Sequence, residues 1–410
     1  MTKKLIIYFI LISSTGFFNL IFLPSQIIFL VQFGVTGMML LFIIVQHIYG
    51  NIETITHIFR NQVFLILTGV FLSMIIAQAY HSQNIGLTLW AQRVMYYYFL
   101  YFFLHFLKPD IKDLERILLS LGILYAVFYL VQYAIFPIAI FDVRQVDSRG
   151  TIRIFLPGAS FLTFALFLSL HRFYRQNELR YLFLVLIFFA ILVLMGTRNF
   201  LASVILVILY SLIFSKIIRS RYVIYFLILI SMIPVYILFQ DIFVGLIELS
   251  GSESEGFEDN IRLRAAAFFL TDFFPNKLAY IFGNGQDHGR SLYGMRIAVY
   301  KAYHGYYQSD IGIIGDFSKF GLFYVTGYLW LIIKVFRTKF NTDYGYIKYF
   351  FLLNIFTLPF GSAGPSGIAA ICVLLYIVEK SFFNLKEGSL ENNNNIESLD
   401  QFSENWMKKE

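Results

Sequence analysis

The sequence predicts an all-α polytopic integral membrane protein with about twelve transmembrane helices and one large, partly helical extracytoplasmic loop. Three observations predict it. Hydrophobic residues make up 58% of the chain and charged residues 14%, whereas a soluble domain carries about 25% charged residues. The apolar residues gather into runs of roughly 17 to 25, the length that crosses about 30 Å of hydrocarbon. Lys and Arg, finally, fall mainly in every second connection between those runs, the bias that orients helices in a bilayer.

The apolar runs cover residues 5-23, 25-45, 62-80, 85-107, 114-140, 154-170, 181-196, 199-217 and 222-240 in a first group assigned to residues 1-240. Three more, 309-336, 348-361 and 366-378, fall in residues 309-380. The first run follows "MTKK" but no small-residue cleavage site follows it, so it reads as a retained helix. The single cysteine, Cys372, lies in the last run and reads as a packing residue. With the amino terminus placed in the cytoplasm, twenty of the 32 Lys and Arg residues fall on the inner side. Short outer connections hold only Arg144, Arg149, Arg153 and Arg198. This places both termini in the cytoplasm, and the net charge of +7 becomes an inner basic fringe facing anionic membrane lipids. Nothing in it calls for nucleic acid. Residues 381-410 are polar and Asn-rich and read as a disordered cytoplasmic tail.

Residues 241-308 form the one long connection, on the outer side, and loops of that length usually carry function. An acidic patch, "ELSGSESEGFEDN", gives way to "IRLRAAAFFLTDFF", which reads as a helix capped by Asp259 or Asn260 and ended before Pro275. Arg262 and Arg264 then occupy its first turn, where the helix end already carries partial positive charge. Two arginines there make sense if they bind an anion such as phosphate. The plainer alternative is an ion-pair cluster with Glu253, Glu255, Glu258 or Asp259. Arg198 stands in the short outer turn "MGTRNF", and Arg93 lies within an apolar run. Cations so placed face a cavity, pair with an acid or mark a substrate path. For Arg93 the plain partner is an acid such as Asp316, and for Arg198 the plain reading is snorkelling to the interface.

The stretch "YHGYYQSDIGIIGDFSKFG" closes the long loop. Tyr303, Tyr306 and Tyr307 belong to an interfacial aromatic belt, and His304 there is a candidate general base, or simply a hydrogen-bonded surface residue. Six-residue spacing keeps His304, Asp310 and Asp316 off a common helix face. Asp310 is expected to cap the next helix, Ser309, Gly312, Gly315 and Ser318 to form a packing stripe, and Asp316 to pair with Lys319. No His/Cys/Asp/Glu cluster has metal-ligand spacing, so neither a metal nor another cofactor is expected.

Three of these pieces together resemble the O-antigen ligase/polymerase superfamily of bacterial polysaccharide enzymes. They are "TRNFLASVILVIL", the arginine helix with its following "GNG" loop, and "HGYYQSDIGIIGDFSKFGLF". The resemblance implies a glycosyltransferase of the cytoplasmic membrane that moves a glycan from an undecaprenyl pyrophosphate carrier to an acceptor sugar on the outer face, without a metal. It implies that Arg198, Arg262 and Arg264 clamp the pyrophosphate, that His304 deprotonates or orients the acceptor hydroxyl, and that Asp310 positions it. Arg93, Tyr303 and Tyr306 are expected to contact substrate. Gly305 after His304, where ligases often carry Asn, favours the polymerase branch, which makes O-antigen, capsular or exopolysaccharide; chain-length regulators and a flippase are then the expected partners. Ligase-type transfer to a lipid or protein acceptor is the alternative. A flippase-type transporter would carry an internal repeat, and none is present in the sequence.

Overall fold

The computed structural model describes residues 2–49, 57–143, 145–148, 151–214, 260–361 and 364–407. The predicted apolar run 222-240, the acidic patch with Glu253, Glu255, Glu258 and Asp259, and Arg144, Arg149, Lys216, Arg219 and Arg221 lie outside the described residues.

The described chain is helical apart from one two-stranded hairpin. Its first helices are α1 (Thr2–Ser14), α2 (Ser25–Tyr49), α3 (Arg60–His81), α4 (Ile85–Ala91), α5 (Phe99–Leu107) and α6 (Ile111–Ala134). The antiparallel strands β1 (Gln145–Ser148) and β2 (Thr151–Ile154) follow, pairing Gln145 with Ile154 and Val146 with Arg153. Then come α7 (Ala159–Gln176), α8 (Leu179–Leu194), α9 (Arg198–Phe214), α10 (Ile261–Leu270), α11 (Lys277–Phe282) and α12 (Leu292–His304). The last three helices are α13 (Gly312–Arg337), α14 (Tyr346–Thr357) and α15 (Pro365–Met407).

Among the described residues, five helices are long and apolar enough to cross a membrane: α2, α3, α6, α13 with the turn before it, and the first part of α15. Shorter apolar helices cover Met95–Leu107, Leu179–Leu194 and Arg198–Phe214. The sequence predicts about twelve spans, and the difference has local causes. The run 5-23 is helical only to Ser14, because Phe17, Phe18 and Asn19 take left-handed backbone angles and turn the chain. The run 85-107 divides into α4, a 3₁₀ turn at Met95–Tyr98 and α5. The predicted disordered tail also reads differently, since α15 continues through it to Met407 with no proline after Pro365 to stop it.

Packing relies on aromatic residues whose hydroxyls bond between helices. Tyr97 Oη meets Ser13 Oγ at 2.8 Å, Tyr174 Oη meets Ser211 Oγ at 2.9 Å, and Tyr346 donates to Glu115 Oε1 at 2.7 Å. In an apolar surround such bonds join helices that have no hydrophobic drive to separate from lipid tails. Large apolar side chains are correspondingly exposed on outer faces, including Leu30, Leu41, Phe64, Ile75, Phe183 and Leu322. Water tolerates so much apolar surface poorly, so these faces are compatible with a bilayer. Cys372 is buried against the backbone of Tyr97, as a packing residue.

Residues that the charge pattern puts on the basic side meet one another. Lys4 reaches Asp113 at 2.8 Å, Arg172 reaches Glu115 at 3.1 Å, Arg175 pairs with Asp343, and Lys380 Nζ donates to Pro109 O at 2.9 Å. The opposite end holds the β-hairpin, the starts of α7 and α9, and the helices α10 to α12.

What the sequence reads as a long loop is, over residues 260–308, three helices with their own small core. Ala265, Phe269, Phe273, Tyr293 and Ile297 pack there with Ile311 from the turn before α13. This cluster is stitched to the bundle at one backbone crossing. Helix α13 breaks at Gly321 (φ 71°, ψ −168°), which strips the carbonyls of Ser318 and Lys319 of their helical partners. The N–H groups of Asn284 and Gly285 replace them, at 3.1 and 2.7 Å. Gly283 (φ 79°) lies directly on Gly321, and a methyl group on either would overlap the other's backbone. Sequence reading treats the small residues of α13 as a packing stripe; Gly312 and Gly315 do fit against Leu358 O and Gln308 O.

Candidate functional site

A cavity of about 470 Å³ opens at the hairpin end of the bundle. It is lined by Arg153 and Phe155 from β2 and just beyond, Thr197 to Phe200 at the start of α9, Arg262 at the start of α10, Asp310 before α13, and Thr357, Phe360 and Gly361 at and after the end of α14. Ligand sites commonly span about 300 to 1,000 Å³. Three cationic side chains and one carboxylate therefore converge from four stretches far apart in the chain.

Local sequence explains each placement. Thr197 O accepts from Leu201 N–H at 2.9 Å, starting α9 so that Arg198 is its first residue. Asn260 caps α10, its side chain accepting from Arg262 N–H at 3.0 Å, which fixes Arg262 in the first turn. Two helix starts, each carrying partial positive charge, thus add to the arginines at the cavity. Thr197 Oγ1 is buried with no hydrogen-bond partner among the described residues, a donor left for a bound group. Arg153 lies 5.0 Å over the Phe155 ring, which holds its stem against the cavity wall.

Of the sequence-predicted site residues, Arg198, Arg262 and Asp310 line this cavity. Asp310 does so because it is not the helix cap that the sequence suggests: it sits in a 3₁₀ turn at Gln308–Ile311, and Ile311 stands at the cap position of α13. Its carboxylate, exposed at the cavity, accepts from Ser309 Oγ at 3.1 Å. Arg264 is not among the lining residues. Two positions along a helix turn a side chain by about 200°, so Arg262 and Arg264 face different ways.

His304 also lies off the cavity lining. It ends α12, exposed, with its ring 5.3 Å from that of Tyr306 and 6.5 Å from that of Tyr300. The following Gly305 (φ 66°) packs on Ile261, so His304 stands beside the start of α10. Tyr306 packs on Phe268 of α10, while Tyr303 is 81% exposed. Arg93 belongs to a different place: it lies 3.8 Å over the Phe29 ring and donates to Gln32 Oε1 at 3.3 Å and Trp90 O at 3.2 Å. Neutral acceptors and an aromatic face, rather than the acid Asp316, thus receive it. Asp316 and Lys319 are both buried in α13.

Arg153, Thr197, Asn199 and Thr357 line the cavity without having been singled out as site residues. For Arg153 the available signal is the alternation in "TIRIF", which puts one charged side chain between two apolar ones on a strand.

The helical cluster that carries Arg262 is fixed from beneath. Gln83, at the end of α3, uses its whole amide: Nε2 donates to Thr88 Oγ1 and Gln286 O, both at 2.8 Å, and Oε1 accepts from His288 N–H at 2.9 Å and Ser291 Oγ at 2.6 Å. His81 stacks on Tyr293 at 4.2 Å and meets Asn284 Oδ1 at 2.9 Å. Burial, and then the Asp287 charge, push the Tyr293 phenol well above its ordinary range, keeping it a donor to Gly285 O at 3.3 Å.

At the other end of α3, His57, His105 and Glu379 come together. Sequence spacing predicts no metal cluster, and it misses this trio because the three residues come from separate stretches of the chain: the segment before α3, α5 and α15. Compared with known proteins, the chain matches no family model, no curated protein and no solved structure.

Proposed function

We propose that this chain is a polysaccharide polymerase of the cytoplasmic membrane, a glycosyltransferase that joins oligosaccharide units carried on undecaprenyl pyrophosphate. The observation that carries this reading is the convergence of Arg153, Arg198 and Arg262 with Asp310 in one cavity. In this reading the chain crosses the membrane about twelve times. Basic residues meet at one end of the bundle and the cavity opens at the other, which supports an orientation across the membrane. The cavity end then faces outward, and both termini lie in the cytoplasm.

The arginines bind the pyrophosphate of the donor, aided by the starts of α9 and α10. As the bond between sugar C1 and the pyrophosphate oxygen breaks, negative charge grows on the leaving group. Fixed cations placed where that charge develops stabilise it more in the transition state than in the ground state. An acceptor hydroxyl attacks C1, and its proton passes to the Asp310 carboxylate, which stands in the same cavity as the arginines. His304, beside the start of α10, contacts the acceptor chain rather than the reacting atoms. Chain-length regulators and the flippase that delivers the donor are the partners this activity calls for.

Complementation tests the reading. The gene is deleted, restored as wild type or as Arg198→Ala, Arg262→Ala or Asp310→Asn at matched expression, and surface glycan is resolved on a gel. Single repeat units in place of a ladder are expected. Loss of all surface glycan with lipid-linked units held at the inner face would make the chain a carrier instead.

A further inference from the structure

Three side chains meet at the basic end of the bundle, at the opposite end of α3 from the cavity and its helical cluster. His57 precedes α3, His105 stands in the last turn of α5, and Glu379 lies on α15. His57 Nδ1 is 3.5 Å from Glu379 Oε1, and His105 Nε2 is 3.5 Å from Glu379 Oε2. The two imidazole centroids are 4.2 Å apart, and the ligand atoms all lie within 4.8 Å of one another. Glu379 is 1% exposed.

The spacing is informative. A hydrogen bond between imidazole nitrogen and carboxylate closes to about 2.7 to 3.2 Å, and here both nitrogens are buried without a hydrogen-bond partner among the described residues. Around a tetrahedral ion with bonds of about 2.0 to 2.2 Å, neighbouring ligand atoms stand roughly 3.3 to 3.6 Å apart. Both observed nitrogen-to-oxygen separations, at 3.5 Å, fall in that interval, each to a different oxygen of Glu379, so an ion between the two rings meets the carboxylate on both oxygens or draws one of them to itself. The carboxylate is also held in place as metal-bound carboxylates are: Tyr101 Oη donates to Oε2 at 2.7 Å and Ile58 N–H to Oε1 at 2.9 Å. Tyr101 Oη in turn accepts from Phe59 N–H at 3.2 Å. The adjacent cation does not compete, since Lys380 is turned to Pro109 O and Asp110.

We propose that His57, His105 and Glu379 bind one divalent transition-metal ion of the Zn²⁺ type, with water at the fourth position. Two imidazoles and a carboxylate suit zinc and its neighbours better than Mg²⁺ or Ca²⁺. The ion would tie the segment before α3, the end of α5 and α15 together at one point, as a staple distinct from the transferase cavity. This assignment stands whether or not the chain is a polymerase.

The test uses the full chain in detergent, stripped with a chelator and titrated with Co²⁺. Intense visible d–d bands of a four-coordinate ion, saturating at about one equivalent, are expected, with Zn²⁺ displacing Co²⁺. Glu379→Gln and His105→Ala should abolish the bands, and Tyr101→Phe should weaken Zn²⁺ binding about 10-fold or more through the lost outer hydrogen bond. Wild-type protein that gives no such bands overturns the proposal by itself, so it does not depend on how well the variants fold. Variants that keep the wild-type spectrum overturn it equally.

Discussion

Arg262 and Arg264 belong to one turn of α10, yet only Arg262 lines the cavity. Arg262→Ala should lower polymer formation on the order of 10²-fold, the loss typical of one preorganised charge stabiliser. Arg264→Ala should stay within about threefold, since a surface arginine contributes little. Equal losses would mean that the two guanidinium groups act together. The same comparison separates Asp310 from His304. Asp310→Asn should cost about 10² to 10⁴-fold if the carboxylate takes the proton, and His304→Ala should raise the acceptor concentration needed without changing the maximal rate. Radiolabelled donor turnover in proteoliposomes reads both.

At the level of elements, the crossing of Gly283 with Gly321 joins the helical cluster to the bundle. Gly283→Ala forces a left-handed residue to carry a methyl group against backbone and should destabilise by about 1 to 3 kcal/mol. Gly321→Ala should do the same, and the double substitution should cost less than the two combined, because both disturb one contact. Thermal unfolding in detergent measures all three. This crossing explains what sequence reading reaches and where it stops. The cap at Asn260 and the helix behind it are legible, since capping and termination are local chemistry. Asp310 reads as a cap for the same local reason, but the turn that displaces it is dictated by packing of Ile311 into the core of α10 and α12. The His57, His105 and Glu379 trio comes together only through contacts between distant segments, for which spacing holds no signal, whereas for Arg153 the alternation in "TIRIF" marks the side chain but not the cavity it joins.

For the molecule as a whole, the single buried Cys372 gives a nearly silent background for cysteine mapping. Tyr303→Cys, at an 81% exposed position near the cavity end, should react in intact cells with a maleimide that cannot cross membranes. Lys339→Cys, exposed at the basic end, should react only after permeabilisation. The reverse pattern would invert the proposed orientation and put the cavity on the cytoplasmic side.

The break at Gly321 also divides the cavity wall between two bodies. The first turns of α13 share a core and backbone hydrogen bonds with α10 to α12, so Arg262 and Asp310 ride together on that body. Arg198 and Arg153 are carried by α9 and the hairpin, on the other. The cavity is thus a seam: parting its two sides would take Arg262 from Arg198 while leaving Arg262 and Asp310 in register, and it would have to break the Gln83 bonds and the Ile313 N–H bond to Leu358 O. Under the proposed function, release of a spent pyrophosphate would then require opening one side of the cavity, with no change within either half.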